Sequence, residues 1–307
     1  MRSTAPKTRE TYLSASGDTT LMPFLLLKMG GMSRNGVKQL LSHRQVSVNG
    51  AVETRFDRAL HAGDKVKITT GTSGRELTHP KLRVVYEDDH LLVAEKKPGL
   101  LTVATYAGSH EVTCFSLLKS YVRQKNPRAG IYVVHRLDRE TSGLLVFAKT
   151  PELQHYMRDY WREIVTRRTY VAVAEGLFSK PADKITTWFT EDPKTTMVYS
   201  SPVDDGGKKA VTNYKVLKAK APEGADPRTG YSLVELNLET GRTNQIRVHL
   251  AGIGHPVAGD RKYGSGNEPP IDRLALHARV LEFIHPVTEE KVCFETPVPR
   301  EFLKIFR

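Results

Sequence analysis

The chain of 307 residues carries 46 Lys and Arg against 34 Asp and Glu, which gives a net charge of +12 at neutral pH. This charge favours a polyanionic partner, for which nucleic acid is the usual candidate. The two cysteines exclude a disulfide framework and a cysteine-rich zinc site. No run is long or apolar enough for a signal peptide or a membrane span, so we expect a cytoplasmic protein with no membrane partner.

The first 80 residues predict an arm, a small domain and a linker. Residues 1–20 are polar and basic and predict a mobile arm. Residues 21–70 predict two short helices, the second with an apolar stripe, followed by a hairpin at Asn49-Gly50. A closing strand is predicted at Lys65 to Ile68, and residues 71–81 have the composition of a linker.

The string SRNGVKQLLSHRQVSVNG, followed by GDKVKI, resembles the small αL RNA-binding motif shared by a ribosomal small-subunit protein and tyrosyl-tRNA synthetases. The resemblance implies that residues 21–70 contact the RNA backbone. Arg34 and Lys38 share a helix face, and together with Arg44 they are the candidate RNA-binding residues. Residues 1–70 carry 11 Lys and Arg against 5 Asp and Glu, so half of the net charge lies there. Contacts of this kind supply affinity and no chemistry.

The stretch VVHRLDRETSGLLVFAKT, at residues 133–150, places a polar loop with turn residues between two apolar runs. It predicts two strands joined by a loop. Because side chains alternate along a strand, Arg136 and Asp138 should point the same way. A carboxylate fixed beside a guanidinium stays ionised and can act as a nucleophile or a base. From the spacing alone, a structural ion pair that braces a hairpin is the favoured interpretation.

This string resembles the signature of the RluA-type pseudouridine synthases, HRLDxxTSGLLVFAK, in which the Asp is the essential catalytic residue. The resemblance implies that Asp138 is the catalytic nucleophile or base, and it leaves open whether Asp138 attacks the sugar, attacks the base or takes the 2′ proton of the sugar. His135, Arg136 and Thr141 belong to the same motif and are candidate substrate-binding residues, with Arg136 holding the flipped nucleotide. The segment YEDDHLLVAEKKPG, at residues 86–99, is similar to the motif that opens the synthase domain.

Two later segments extend the resemblance. Residues 168–173 predict a strand, and Tyr170 matches the family tyrosine whose ring packs against the target uracil. TGRTNQIRVHL, at residues 240–250, is similar to TGRxHQIRxHL, whose second Arg pairs with the catalytic Asp. Arg247 matches that Arg, while Asn244 replaces the usual His. The candidate substrate-binding residues of this segment are Arg242, Gln245 and Ile246.

The resemblance covers residues 21–307 and implies an α+β protein. Residues 82–307 should form a synthase domain with a mixed, largely antiparallel sheet and flanking helices, after the small αL domain. The implied function is an isomerase that converts uridine in structured RNA to pseudouridine by base flipping, as a monomer, with no cofactor or metal. Ribosomal RNA is the favoured substrate, and transfer RNA stays open.

Two other classes of protein fit parts of the sequence. A non-catalytic RNA-binding or chaperone protein could keep the fold, and its RNA-binding domain and basic charge would suffice for it. The presence of both Asp138 and Arg247 argues against this class. A metal-dependent nuclease is the third possibility, and the scattered carboxylates and histidines of the sequence argue against it.

Overall fold

The structure is a computed structural model that describes residues 9–30, 34, 37, 40, 41, 45–70, 77, 79–106, 109–221, 224, 229–266 and 268–307. The chain divides into two units, Met1–Thr78 with Tyr121–Ala129, and His79–Ser120 with Gly130–Arg307. Residues 121–129 thus group with the first unit, although the sequence placed them in the synthase domain. Within the described ranges, no helix has both the length and the apolar composition needed to cross a bilayer.

The first unit is built on short strands and helices. Its described elements are β1 (Arg9–Ser14), β2 (Thr19–Thr20), α1 (Leu21–Lys28), β3 (Val46–Val48), β4 (Ala51–Val52), β5 (Ala59–Leu60) and β6 (Lys65–Thr70). An antiparallel sheet has the order β1-β6-β3-β4, and β2 pairs with β5. The predicted stripe of the second helix is buried in the core of this unit, and its members are Val37, Leu40 and Leu41.

The predicted mobile arm is wrong for residues 9–20. All six residues of β1 pair with β6, and Ala15, which follows, is only 4% exposed. Burial alternates along β1, with Thr11 and Leu13 partly buried and Tyr12 exposed. This period-two pattern is that of a half-buried strand, and the polar composition of the segment concealed it. Residues 1–8 lie outside the described part.

The remaining elements follow residue 79. The strands are β7 (Leu82–Glu87), β8 (Leu91–Lys96), β9 (Tyr132–Val133), β10 (Ser142–Ala148), β11 (Val165–Glu175), β12 (Ala182–Glu191), β13 (Val198–Ser201), β14 (Lys208–Lys220), β15 (Tyr231–Leu238), β16 (Leu276–Ile284) and β17 (Lys291–Glu295). The helices are α2 (Cys114–Lys125), α3 (Pro151–Asp159), α4 (Trp161–Ile164), α5 (Gln245–Gly252) and α6 (Arg300–Lys304).

These strands form an 11-stranded sheet in the order β13-β12-β14-β15-β11-β16-β10-β8-β7, with β17 paired to β16 and β9 to β10. The neighbours run antiparallel except β10 and β16, which run parallel. The residues of β8 and β10 are buried along their whole length, as expected of strands covered on both faces. The predicted α+β class and largely antiparallel sheet are therefore confirmed.

Gly143 makes the parallel contact possible. It lies opposite Ala278 of β16 and has a φ of +120°. A Cβ at this position would lie 2.1 Å from the carbonyl oxygen of Ala278, so a side chain cannot be accommodated. Next to it, the hydroxyl of Ser142 lies 2.8 Å from Nδ1 of His277. The glycine therefore joins β10, and the loop before it, to the centre of the sheet.

Candidate active site

Asp138 lies on the loop between β9 and β10, and the backbone of this loop is fixed on both sides of it. Before Asp138, the hydroxyl of Thr102 donates to the carbonyl of Leu137 at 2.8 Å and accepts from its N–H at 3.1 Å. After Asp138, the carbonyl of Arg139 accepts hydrogen bonds from Nζ of Lys96 at 2.8 Å and from the N–H of Gly99 at 2.9 Å. The position of the carboxylate is thus set by Lys96 and Gly99 of the earlier motif at 86–99 and by Thr102, which follows it.

Arg247, in the first turn of α5, lies between two carboxylates. Its Nη1 is 3.4 Å from an oxygen of Asp138, which confirms the predicted contact. Its Nε and Nη2 each donate to Asp260 at 2.7 Å. The side chain of Asp260 is 0% exposed and that of Asp138 is 40% exposed. Asp260 therefore fixes the guanidinium, and Asp138 remains open to solvent.

Both members of the buried pair stay charged. Burial by itself would raise the pKa of Asp260, but the hydrogen bonds and charge of Arg247 outweigh it, and the pKa is lowered. Burial likewise opposes the charge of Arg247, yet Asp260 and then Asp138 hold the pKa of this guanidinium above its ordinary value. Asp138 thus faces a fixed positive charge, as a catalytic carboxylate would require.

Asn244 shows what replaces the usual family histidine. It precedes α5 in a left-handed conformation, with φ 53° and ψ 22°, which Asn adopts more readily than most residues. Its Oδ1 accepts from Arg247 at 3.0 Å, and its Nδ2 donates to the hydroxyl of Tyr263 at 3.2 Å. The ring of Tyr263 lies 5.2 Å from the guanidinium. Asn244 therefore supports Arg247.

A cavity of about 660 Å³ lies beside Asp138, a size within the usual range for ligand sites. It is formed by the loop before β10, by α3 and α4, by β11 and by the loop that leads into α5. The structure brings together at this cavity every residue predicted for catalysis or substrate binding: Asp138, Arg247, Tyr170, His135, Arg136, Thr141, Arg242, Gln245 and Ile246.

His135 supports the wall of this cavity. Its Nε2 accepts from the backbone N–H of Val146 at 3.1 Å, and its ring lies 4.8 Å from that of Trp161. Burial, followed by the charge of Arg168, lowers the pKa of His135 to about 3, so the imidazole is neutral. The acceptor nitrogen is therefore engaged within the protein, and the role of His135 in substrate binding stays a prediction.

Gln245 is also a supporting residue. The residue is 3% exposed, and its amide oxygen accepts from the hydroxyl of Thr240 and the N–H of Arg242. Its amide nitrogen donates to the carbonyl of Val211 and the hydroxyl of Thr212. These hydrogen bonds let Gln245 shape the loop before α5, and its role in binding substrate stays a prediction.

Three arginines that were not predicted as site residues also line the cavity, namely Arg158, Arg162 and Arg168. No carboxylate among the described residues lies within 4.0 Å of these guanidinium groups. The sequence does indicate Arg168, because it keeps the charge of the Lys that the family usually has two residues before this Tyr, and it shares the face of β11 with Tyr170. Arg158 and Arg162 gave no such signal, because only the fold of α3 and α4 brings them to the cavity. These charges suit a polyanionic substrate.

The other predictions for the site concern RNA binding and metals. Arg34 is helical and exposed, while Lys38 and Arg44 lie outside the described residues. Across the parts of the chain that the structure describes, no three His, Cys, Asp or Glu side chains come together as a metal site would require.

Comparison with known proteins agrees with this geometry. The family model for RNA pseudouridylate synthase matches residues 90–252, which include Asp138, Tyr170 and Arg247. The chain belongs to the RNA pseudouridylate synthase family. A second family model, for the S4 domain, matches residues 25–74, where the RNA-binding motif was predicted.

Relatives of this synthase are similar along most of their length. It is 35% identical over 279 residues to the RNA pseudouridine synthase YhcT of Bacillus subtilis, covering 90% of this chain and 88% of the relative. It is 38% identical over 285 residues to the ribosomal large subunit pseudouridine synthase D of Neisseria meningitidis serogroup A, covering 87% and 72%. The solved structure of human RNA pseudouridylate synthase domain containing 1 is 26% identical, with a TM-score of 0.56, and covers 74% of this chain and 86% of that one.

The protein is therefore an RNA pseudouridine synthase, an isomerase that acts on uridine in RNA. The predicted family, fold and activity are confirmed. The alternative of a non-catalytic binding protein finds no support among these relatives, whose names describe synthases.

Proposed function

We propose that Asp138 is the catalytic carboxylate of this synthase and that its substrate is uridine in large-subunit ribosomal RNA. The first part rests on one observation: a partly exposed carboxylate lies at a cavity of nucleotide size, 3.4 Å from an arginine that a buried Asp260 holds in place. The second part rests on relatives named as large-subunit synthases in Neisseria meningitidis and Pasteurella multocida.

The reaction itself fits a site with one reactive carboxylate. The bond from N1 to C1′ of the sugar breaks, the base turns, and a bond from C5 to C1′ forms. The base loses its C5 proton and gains one at N1, so no atom is added or removed overall. Asp138 can begin this sequence by attacking C1′, by attacking the base or by taking the 2′ proton. Each route requires an ionised carboxylate that can reach one side of the nucleotide.

The cavity residues supply what base flipping needs. A base in a stack is out of reach, so the enzyme must hold the nucleotide outside it. The ring of Tyr170 is the surface against which uracil packs, and the exposed Arg136 holds the flipped nucleotide. Arg242, Arg158, Arg162 and Arg168 line the same cavity and would neutralise adjacent phosphates. Since one chain provides this whole set, we propose a monomer that works without cofactor or metal, in the cytoplasm, and that keeps its activity under chelation.

The role of Asp138 is tested by Asp138→Asn, which keeps the shape and removes the charge. We expect the single-turnover rate at saturating RNA to fall by about 10²- to 10⁴-fold or more, with RNA affinity and urea unfolding unchanged. Asp183→Asn is the matched control, because this exposed carboxylate pairs with Lys180 away from the cavity. A wild-type rate in Asp138→Asn would overturn the assignment.

The substrate is tested in cells. Pseudouridines are mapped in total RNA from a strain that lacks the gene, and again after re-expression of the wild-type protein or of Asp138→Asn. We expect positions in large-subunit ribosomal RNA to disappear and to return with the wild-type protein alone. Positions lost from transfer RNA instead would overturn the ribosomal assignment and leave the activity in place.

A further inference from the structure

A second cavity also adjoins Asp138, and the reaction as described does not use it. Its volume is about 750 Å³, against about 660 Å³ for the cavity described above. It is formed by the loop at 138–140, by the end of β11 and by the segment 259–274. The residues that line both cavities are Asp138 and Arg247. The second cavity and the first therefore meet at the pair proposed for catalysis.

The substrate is one link of an RNA strand, so the strand continues on both sides of the target uridine. Each neighbouring nucleotide is joined to the target through one phosphate. RNA-binding proteins read such neighbours when the bases are unstacked and splayed out, by hydrogen bonds to the base edges. A cavity that adjoins Asp138 lies next to the target, and its volume is large enough for one nucleotide.

An ordered turn forms one wall of the second cavity and carries an unpaired arginine. One carboxylate oxygen of Asp260 accepts from the backbone N–H of Lys262 at 2.9 Å and of Tyr263 at 3.0 Å. The carbonyl of Asp260 accepts from the N–H of Gly264 at 2.9 Å. Arg261 lies within this turn and is exposed, and no carboxylate of the described residues comes within 4.0 Å of its guanidinium. A guanidinium in this state suits a phosphate group.

Two exposed carboxylates, Glu140 and Asp272, line the same cavity. In the part of the chain that the structure describes, no Lys, Arg or His nitrogen lies within 4.0 Å of either. Most other charged side chains at this cavity have partners, namely Arg139 with Glu111, Lys262 with the carbonyl of Thr196, Arg273 with Glu301 and Glu175 with Ser265. Glu140 and Asp272 are therefore available to a ligand.

The chemistry of a carboxylate decides which part of a nucleotide it can contact. It repels a phosphate, and it only accepts hydrogen bonds. Cytosine, adenine and guanine carry an amino group that donates to a carboxylate, whereas uracil carries carbonyl oxygens, which a carboxylate repels. Glu140 and Asp272 thus suit a base with an amino group.

We propose that the second cavity binds a nucleotide next to the target uridine, with Arg261 on its phosphate and with Glu140 and Asp272 on the donor groups of its base. It selects a neighbour that carries an amino group and disfavours uracil. This inference rests on the proposed role of Asp138, which places the target uridine at the first cavity. The second cavity contributes to the choice of uridine, and the chemistry stays at Asp138.

The preference for a neighbour is tested with short synthetic RNAs copied from the sequence around a uridine that the mapping experiment identifies. Each nucleotide next to the target is changed in turn to all four bases, and its pairing partner is changed to match wherever it is paired. On one side of the target we expect kcat/KM of the wild type to be about 5- to 100-fold higher with an amino-bearing base than with uracil. Equal values for all neighbours on both sides would overturn the inference.

A double variant, Glu140→Gln with Asp272→Asn, assigns this preference to the second cavity. An amide both donates and accepts, so it bonds uracil as well as the other bases, and the preference should fall to about twofold or less. Urea unfolding should not change, because both side chains are exposed. Asp89→Asn with Glu289→Gln is the matched control, since it removes two exposed carboxylates that line neither cavity. A folded double variant with the wild-type preference would overturn the inference.

Arg261→Gln tests the contact with phosphate. The slope of log affinity against log salt concentration should become shallower by about 0.7 to 0.9. Arg300→Gln, which removes an exposed arginine away from both cavities, should keep the wild-type slope. An unchanged slope in Arg261→Gln would overturn the assignment of Arg261.

The same assays separate this inference from the proposed function. If Asp138→Asn is inactive and the wild type shows no preference for a neighbour, the inference fails and the proposed function stands. If Asp138→Asn is active, the proposed function itself fails.

Discussion

Arg247 and Asp260 share two hydrogen bonds of 2.7 Å, and the carboxylate of Asp260 is wholly withdrawn from solvent. The contact between Arg247 and Asp138 is longer, at 3.4 Å, and Asp138 keeps 40% of its side chain exposed. One arginine thus serves two carboxylates with different tasks. Asp260 holds the arginine, while Asp138 stays open to solvent at the cavity.

This division predicts that the two carboxylates affect stability differently. Asp260→Asn leaves a buried guanidinium without its close partner, so we expect the free energy of unfolding to fall by about 3–5 kcal/mol. Asp138→Asn removes a partly exposed carboxylate, and we expect a change below about 1 kcal/mol. Urea unfolding of the two variants beside the wild type measures both values. Equal losses in the two variants would contradict this division.

The buried Lys96 predicts a rise of stability with alkaline pH. Its pKa is about 8 in the folded protein, against 10.5 for a free lysine, so the unfolded chain binds more protons between these values. The cost of the buried charge is fully present below pH 8 and disappears as pH rises to about 10.5. The difference corresponds to about 3 kcal/mol in favour of the folded state.

The titration of Cys114 changes the free energy of unfolding in the opposite direction, so its contribution must be separated from that of Lys96. Burial raises the pKa of its thiol from 9.0 to about 12, so the folded state loses stability above pH 9. The measurement is therefore the difference in free energy of unfolding between wild type and Lys96→Met from pH 7 to 10.5. We expect this difference to change with pH in favour of the wild type, whereas a constant difference would mean that Lys96 does not titrate in this range.

Gly143→Ala should disturb the centre of the sheet. The new Cβ would meet the carbonyl of Ala278 at 2.1 Å in a conformation with positive φ, so strain and overpacking add. We expect a loss of about 2–6 kcal/mol in unfolding experiments. Gly254→Ala is the matched control, since Gly254 also has a positive φ but open space around it, and it should lose only about 1–2 kcal/mol. Similar losses of unfolding free energy in both variants would contradict the close approach of β10 and β16.

Arg34→Gln should weaken RNA binding without slowing the chemistry. Each phosphate contact contributes about −0.7 to −0.9 to the slope of log affinity against log salt concentration, so the slope should become shallower by that amount. RNA affinity is measured over a salt series, together with the single-turnover rate at saturating RNA, which should not change. Lys180→Gln, which removes an equal charge from an ion pair with Asp183, serves as control. A slope identical to that of the wild type would show that Arg34 does not contact an RNA phosphate.

Most residues of the proposed catalytic site could be predicted from local sequence motifs. Asp138 and Arg136 occupy one short motif, and Tyr170 and Arg247 occupy two others, so each could be found from its own neighbours in the chain. What the motifs do not contain is the packing around each side chain. His135 and Gln245 belong to the same motifs, yet polar atoms of both side chains form hydrogen bonds with the backbone of the protein itself. Burial of this kind depends on the folded neighbours of a residue and not on its position in a motif.

Contacts between residues that only the tertiary structure brings together could not be predicted from the sequence, for the same reason. Asp260 meets Arg247 only because the loop after α5 returns to that helix, and no periodicity connects residues 13 positions apart in this way. Lys96 reaches the carbonyl of Arg139 across 43 positions. By contrast, β1 carried a local signal, because Thr11 and Leu13 alternate with polar residues. The prediction of a mobile arm followed the polar composition of the segment instead of this alternation. Composition is an average over the segment and does not depend on the order of its residues.

The parallel strand pair determines when a newly made chain can become an enzyme. β16 lies between β11 and β10, and its contact residues Ser142 and His277 are 135 positions apart. During translation, β10 and β11 leave the ribosome long before the strand that joins them, and their open edges are exposed to other strands in the meantime. A nascent chain that stalls before residue 276 already contains Asp138 and Arg247 but lacks the sheet that unites them. Catalytic competence is thus withheld until synthesis has passed β16, whereas the S4 domain, made first, can fold well before that.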